Sequence, residues 1–349
     1  MVRASYIVYP LVFIRPAGTS RGILAEKPCI YIRLTSERGE TGIGEVSFIP
    51  GLSVENQEEL EIQVDHICKL ISRGEMDPVQ HLPALPGVQF ALESAVQDMK
   101  TGGEQLLYPS EFTEGQNGIP TNGLIWMGTK EFMISQIRDK MKLGFRVLKL
   151  KVGSLSFSEE LDLLKWIRSE FGTADLEIRL DANGAWTPED ARKKIELLSR
   201  YWIHSIEQPI APGQQEALMQ LCLDSAIPVA LDEELIGITD SLKRKELLDK
   251  VRPSYIILKP GLLGGFSVTA EWIALAEKYK SGWWLTSALE SNIGLNAIAQ
   301  WTWQRGVNRP QGLGTGALYT NNIPSPLQMS GEQLWYRPEN KWDLNSIGL

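Results

Sequence analysis

The chain has 349 residues, 43% hydrophobic and 22% charged, with a formal net charge of -8. That length allows one large core or two domains, and an acidic chain without a basic stripe argues against a nucleic-acid surface. No apolar run approaches the roughly 18 residues of a membrane span. The stretch 6–14 is apolar, but Pro10 interrupts it and Arg15-Pro16 closes it, so it reads as a strand rather than a secretory leader. Cys29, Cys68 and Cys222 are scattered and lack C-x-x-C spacing. They are expected to be buried free thiols of a protein in a reducing cytoplasm.

Residues 1–55 alternate apolar and polar positions, and Arg38-Gly39 between two such runs is a hairpin signal. Helical periodicity follows over 55–75 and 87–101, with Ser53 ahead of Glu59 as a helix start. Antiparallel strands followed by helices predict a separate α+β unit over 1–117, ending in a turn-rich linker. From 118 the pattern changes to strand–helix alternation. Eight short apolar strands are predicted near 121–126, 147–151, 177–181, 203–207, 228–232, 255–259, 283–287 and 311–315, the last of them the weakest signal. Seven helices join them. Thr187-Pro188-Glu189-Asp190 reads as one helix start, with a capping hydroxyl, proline at the first helical position and acids in the first turn. The chemistry-bearing barrel is placed at 118–323. The Trp-containing tail 324–349 has no ninth unit to build and is expected to fold back on the N-terminal unit.

Five of the strands end in a charged residue. Lys151, Asp181, Glu207, Asp232 and Lys259 follow one another at intervals of about 25 to 30 residues, the length of one βα unit. In a barrel of such units all strand C-termini open on one mouth. Alternation along each strand turns Lys149 and Lys151 inward together, as it does Arg179, Asp181 and Asn183, and Ser205 with Glu207. The same rule sends His204 outward to the helix layer as a packing residue. Three carboxylates on neighbouring strands repel one another unless a cation lies between them, so Asp181, Glu207 and Asp232 are candidate metal ligands. Hard oxygen donors favour Mg²⁺, with Mn²⁺ as a substitute. Lysines flanking an acid bound in this way suggest proton abstraction next to a carboxylate. Gly261-Leu262-Leu263-Gly264-Gly265 lacks phosphate-loop spacing and reads as a tight turn whose amides could meet a substrate anion.

Lys149-Leu150-Lys151, Asp181-Ala182-Asn183, Glu207-Gln208-Pro209, Asp232-Glu233 and Leu258-Lys259-Pro260, in this order, resemble the enolase superfamily, and within it the muconate-lactonising branch. That such sites use a Lys or His base with Mg²⁺ is general knowledge of the superfamily. Gly44-Glu45-Val46-Ser47, Pro50-Gly51-Leu52-Ser53 and Ser287-Ala288-Leu289-Glu290-Ser291-Asn292 are most similar to the o-succinylbenzoate synthase family of that branch. The resemblance implies an α/β fold, a modified (β/α)7β TIM-type barrel with an N-terminal α+β capping domain. It implies a metal-dependent syn dehydration of 2-succinyl-6-hydroxy-2,4-cyclohexadiene-1-carboxylate through an enediolate, a step of menaquinone formation, in the cytoplasm. Lys151 would be the base, Lys259 the stabilising cation on the opposite face and Lys149 an auxiliary. Substrate contacts are expected from Ser20 and Arg21 in a lid over the mouth, and from Asn183, Ser287, Gly261 and Glu290. The partner is then a small-molecule carboxylate, with no nucleic acid or membrane involved; homo-oligomer formation is left open. N-acylamino-acid racemisation or dipeptide epimerisation on the same scaffold is the alternative. Against it, the segment Gly312-Leu313-Gly314-Thr315-Gly316 lacks the paired acids with which dipeptide epimerases usually hold a substrate ammonium.

Overall fold

The structure is a computed structural model that describes residues 2–19, 22–153, 155–306 and 309–348. Strands β1 (Arg3–Val8), β2 (Leu11–Thr19), β3 (Gly22–Lys27), β4 (Ile30–Thr35) and β5 (Thr41–Val46) precede helices α1 (Gln57–Ser72) and α2 (Pro86–Lys100). β4 lies between β1 and β5 in an antiparallel sheet, while β2 and β3 form a hairpin of their own. The expected turn at Arg38-Gly39 joins β4 to β5, with Gly39 at φ 84°. α1 begins later than Ser53 suggests. Its cap is Asn56, whose side chain accepts from the Glu58 amide.

β5 meets α2 without side chains in the way at Gly42 and Gly44. A Cβ on Gly44 would lie 1.9 Å from the Ala91 carbonyl oxygen, so only glycine lets the helix approach this closely. Leu34, Val46, Leu60, Val64, Ala91, Leu92 and Ala95 fill the core between this sheet and the two helices.

The second part alternates β6 (Ile119–Pro120), β7 (Gly123–Ile125), α3 (Lys130–Lys142), β8 (Val147–Lys151), α4 (Phe157–Glu170), β9 (Glu177–Asp181), α5 (Pro188–Leu198), β10 (Ile203–Glu207), α6 (Gln215–Asp224), β11 (Val229–Leu231), α7 (Ser241–Val251), β12 (Tyr255–Leu258), α8 (Pro260–Leu263), α9 (Gly265–Tyr279), β13 (Gly282–Leu285) and α10 (Asn292–Trp303). β7 through β13 form one parallel sheet in sequence order. The eighth strand is present only as Gln311-Gly312, bridging Thr121 on one side and Thr286 on the other. Those two residues join the sheet's edges through backbone bonds to Pro120, Asn122, Leu285 and Ser287. Among the described residues this joins β13 to the segment leading into β7, so the parallel sheet closes on itself. Thr187 caps α5 as expected, accepting from the Asp190 amide, with Pro188 at the first helical position.

Leu148, Leu150, Ile178, Leu180, Ile206, Leu231, Ile256 and Leu258 point outward into one continuous core with the helices. Inside the barrel, below the charged mouth, Ala230, Ile257 and Trp284 pack together. His204 belongs with this interior group, contrary to the alternation rule. A register shift between Ile203 and Ser205 displaces it, and its ring stacks on Tyr255 at 5.0 Å and lies 6.4 Å from Trp284. A bulge inserts an extra residue and breaks the two-residue period from which its direction was read.

After the barrel, β14 (Leu327–Ser330) and β15 (Gln333–Tyr336) form a hairpin that pairs with β6 at the N-terminal end of β7. Farther on, Trp342, Leu344 and Ile347 join Leu11, Phe13, Tyr31 and Tyr319 in an apolar cluster shared with the N-terminal strands. Cys29 and Cys68 are buried and Cys222 half-buried, all three as free thiols. Among the described residues no helix is long and apolar enough to cross a membrane.

Candidate active site

The register of the parallel sheet sets the site. Lys151 on β8, Asp181 on β9 and Glu207 on β10 are direct cross-strand neighbours, so their side chains leave the barrel at one level. Asp232 follows the last residue of β11, and Lys259 follows the last residue of β12. Three carboxylates and three ammonium groups therefore converge on one mouth. Asp181 is fully buried, while Glu207 and Asp232 are each 2% exposed.

The ammonium groups thread between the acids. Lys149 Nζ lies 2.9 Å from Asp181 Oδ2 and 2.6 Å from Glu207 Oε1. Lys151 Nζ donates to Asp181 Oδ2 at 2.8 Å and to Asn183 Oδ1 at 2.6 Å. Lys259 Nζ pairs with Asp232 from the other side. Asn183 adopts the left-handed conformation, φ 44°, which asparagine tolerates better than most residues. This turn brings its carboxamide over both Lys151 and Glu233, with Nδ2 2.9 Å from Glu233 Oε1. Gln208, also left-handed at φ 40°, braces the next strand end. Its Oε1 accepts from the Asp232 and Glu234 amides at 3.1 Å each, and its Nε2 donates to the Ile210 carbonyl. Strained backbone of this kind costs on the order of 1–3 kcal/mol per residue and persists where surrounding bonds hold it.

The electrostatics follow from burial and crowding. Burial works against the Lys149 ammonium, but Asp181, Glu207 and Asp232 together hold it above the ordinary lysine range. Asp181, despite its own burial, is held well below the usual carboxylate range by Lys149 and Lys151. Glu207 moves the opposite way: burial, then the neighbouring Asp181 and Asp232, push its carboxyl well up. Lys259 is raised because Asp232 and Glu233 outweigh its burial.

Among the described residues no three acidic, histidine or cysteine side chains form a ready cage for an ion. The reason lies in the ion pairs just given, since the ammonium groups sit among the carboxylates. The donor set itself fits a hard divalent cation. Asp181, Glu207 and Asp232 offer oxygen ligands from three successive strands, and the Lys149 ammonium, 2.9 Å from Asp181 and 2.6 Å from Glu207, already places one positive charge between two of them.

A cleft opens above these groups. Lys149, Lys151, Asn183, Glu233 and Lys259 line it together with Asn122, Leu124, Trp126, Thr286, Ser287, Gly312, Gly314 and Thr315, and Ile49, Pro50, Leu52, Ala288 and Leu289 complete the lining. The three lysines, Asn183 and Ser287 therefore share one space. Ser287 Oγ lies 2.6 Å from Thr315 Oγ1.

Two expected substrate contacts do not line the cleft. Glu290 is fully buried behind the wall, where its carboxylate accepts from Ser47 Oγ and the Ala288 amide. Gly261 is buried in α8, where a Cβ would lie 2.3 Å from that of Ser47. Both serve the seam between the N-terminal unit and the barrel, which strand patterning does not reveal. Ser20 and Arg21 lie outside the described residues. Conversely, Glu233, Trp126, Leu124 and Asn122 were not anticipated. Glu233 directly follows Asp232, and the other three are alternate residues of the first barrel segment. Inward alternation applied to that uncharged segment would have found them.

Comparison with known proteins fixes the family. A family model described as enolase C-terminal domain-like matches residues 133–309. The o-succinylbenzoate synthase of Desulfotalea psychrophila is 45% identical, with 94% of this chain and 97% of that protein aligned. The chain belongs to the enolase superfamily. Membership makes it an enzyme. The crystal structure of MenC from Desulfotalea psychrophila superposes with a TM-score of 0.86 at 41% identity, over 96% of this chain and 99% of that one. The L-Ala-D/L-Glu epimerase of Bacillus subtilis shares the fold, with a TM-score of 0.81 at 20% identity over 99% of this chain and 97% of its own. The expected class is therefore correct: a TIM-type barrel of this superfamily with a strand-rich N-terminal domain.

Proposed function

We propose that the chain is an o-succinylbenzoate synthase, removing water from 2-succinyl-6-hydroxy-2,4-cyclohexadiene-1-carboxylate in menaquinone formation. The observation that carries this reading is the 45% identity to an o-succinylbenzoate synthase over nearly the whole of both chains. The cleft agrees with it. Lys151 and Lys259 face it from strand ends on either side of three carboxylate-bearing strands, and no carboxylate lines the wall contributed by residues 312–315.

Asp181, Glu207 and Asp232 would hold Mg²⁺, or Mn²⁺ in its place, which supplies charge neutralisation for the substrate acid as its α-proton leaves. The remaining work falls to the chain's own side chains. Lys151, held at the cleft wall by Asp181 and Asn183, acts in its neutral amine form and takes the proton on the carbon next to the carboxylate. The electron pair of that C–H bond first loads the enediolate and then forms the new ring double bond as the C–O bond to the hydroxyl breaks. The same proton passes from Lys151 to the departing hydroxyl, which leaves as water, and the ring becomes aromatic. Lys259, paired with Asp232, stays charged and stabilises the enediolate from the opposite face. Ile49, Pro50, Leu52 and Leu289 keep bulk water from the ring.

Incubating the Mg²⁺-loaded protein with the cyclohexadiene acid tests the reading. The expected result is an aromatic product lighter by one water, formed with Mg²⁺ and abolished by a chelator. Recovery of unchanged diene would refute it.

A further inference from the structure

Of the two carboxamide side chains that line the cleft, Asn122 and Asn183, one has incomplete bonding. Asn122 is 5% exposed, lines the cleft and has an Oδ1 without a hydrogen-bond partner. Its neighbours are otherwise engaged. Asn183 is tied to Lys151 and Glu233; the three lysines are paired with acids; Thr286 Oγ1 donates to the Gly312 carbonyl at 3.0 Å. Burying an amide group without a partner costs on the order of 1–3 kcal/mol, and at the cleft wall a ligand atom can complete its bonding.

The place of Asn122 in the barrel says which part of a ligand that is. Around the closed barrel, β9, β10 and β11 carry the acids, and the arc diametrically opposite is β13, Gln311-Gly312 and the segment leading into β7. Asn122 stands on that far arc, its amide nitrogen bonded to Gln311 and its backbone oxygen 3.8 Å from an ideal Cβ on Gly314. A half-turn about χ2 exchanges its free oxygen for the NH2 group, a donor. Nearby, the Ser287–Thr315 hydroxyl pair uses one O–H between its two oxygens and leaves the other to donate. With the carboxamide turned this way, Asn122 and the spare hydroxyl give the far arc two donors, which suits a ligand group made only of acceptors.

We propose that the Asn122 carboxamide is a specificity-determining contact that donates to a carbonyl or carboxylate oxygen of the substrate's succinyl arm, at the end of the cleft away from Asp181, Glu207 and Asp232. This assignment rests on the synthase reading above and adds the orientation of the substrate within the site.

The test uses the Mg²⁺-loaded full chain with Asn122→Ala and Asn122→Asp, the second nearly isosteric but stripped of the donor and negative at neutral pH. KM for the cyclohexadiene acid should rise about 10-fold or more in the alanine variant and further in the aspartate variant, in line with leaving a buried ligand oxygen without its bond. The alanine variant should keep kcat within about threefold and a thermal midpoint no lower than wild type, since it removes an unpartnered buried group. In titration calorimetry, o-succinylbenzoate should lose affinity by the same factor, while benzoate, which lacks the arm, should not. Unchanged KM in both variants, or an aspartate variant that binds as well as wild type, would overturn the assignment. So would equal losses for benzoate and o-succinylbenzoate. A wild-type protein that fails to turn over the cyclohexadiene acid refutes the synthase reading before any variant is made, so the two failures are distinguishable.

Discussion

Lys151 and Lys259 face one another across the cleft, but their partners differ. Lys151 shares Asp181 with Lys149 and also touches Asn183, whereas Lys259 is paired with Asp232. A base that moves protons should be felt mainly in kcat. Lys151→Ala is expected to lower kcat by on the order of 10³-fold or more, from the general acid–base range upward, with Lys149→Ala damaging but secondary. Steady-state rates of the three lysine variants check this, and near-normal turnover by Lys151→Ala beside an inactive Lys259→Ala would reverse the two roles. These charged residues were legible in the sequence because a two-residue period and a strand-to-strand interval both bear on them. Asn122 was not, because a single uncharged amide carries no such signal. Glu290 and Gly261 sit in two segments expected to meet the substrate, yet both pack against Ser47 from the N-terminal unit instead. His204 shows the limit of alternation, which one bulge is enough to defeat.

At the scale of elements, the N-terminal unit depends on close approach and on one buried acid. Gly44→Ala would drive a methyl group into the Ala91 carbonyl at the β5–α2 contact. It should destabilise the protein by about 1–3 kcal/mol, the range for overpacking, measurable by denaturant titration. Glu55 precedes α1 and accepts from the Gly87 amide in the first turn of α2 at 2.6 Å, while its second oxygen has no partner. Burial pushes its carboxyl up to about 6, only partly offset by that amide. Between the unfolded value near 4.5 and the folded value near 6, the native state holds more protons than the unfolded chain. Stability from this group therefore falls as pH rises through that window and levels off above it. Relative to Glu55→Gln, wild type should gain about 1.5 kcal/mol on going from pH 7 to pH 4.5. A constant difference across that range would contradict the shift. The elements themselves were largely legible, since caps such as Thr187 and the apolar strands are local signals. The eighth strand was not fully so. Only Gln311-Gly312 pair, because two bridges suffice to join the edges.

At the scale of the whole molecule, the N-terminal unit and the barrel meet over the site, and Ile49, Pro50 and Leu52 from the one roof the lysines of the other. A cation that binds only the folded mouth must stabilise the whole chain by linkage. Mg²⁺ is expected to raise the thermal midpoint of wild type, and this rise should shrink or vanish in Glu207→Gln, a readout independent of turnover. Neutralising Glu207 should do little harm to the metal-free fold, because burial beside Asp181 and Asp232 already disfavours its charge.

The most direct test of the central claim is a comparison in D₂O of two substrate classes with the same Mg²⁺-loaded protein. The cyclohexadiene acid should lose its diene absorbance rapidly and yield o-succinylbenzoate. Dipeptides and N-acyl amino acids should exchange their α-protons negligibly, since no acid lines the wall at 312–315 to hold an ammonium. Efficient deuterium incorporation into dipeptides or N-acyl amino acids, with no dehydration of the cyclohexadiene acid, would contradict the account.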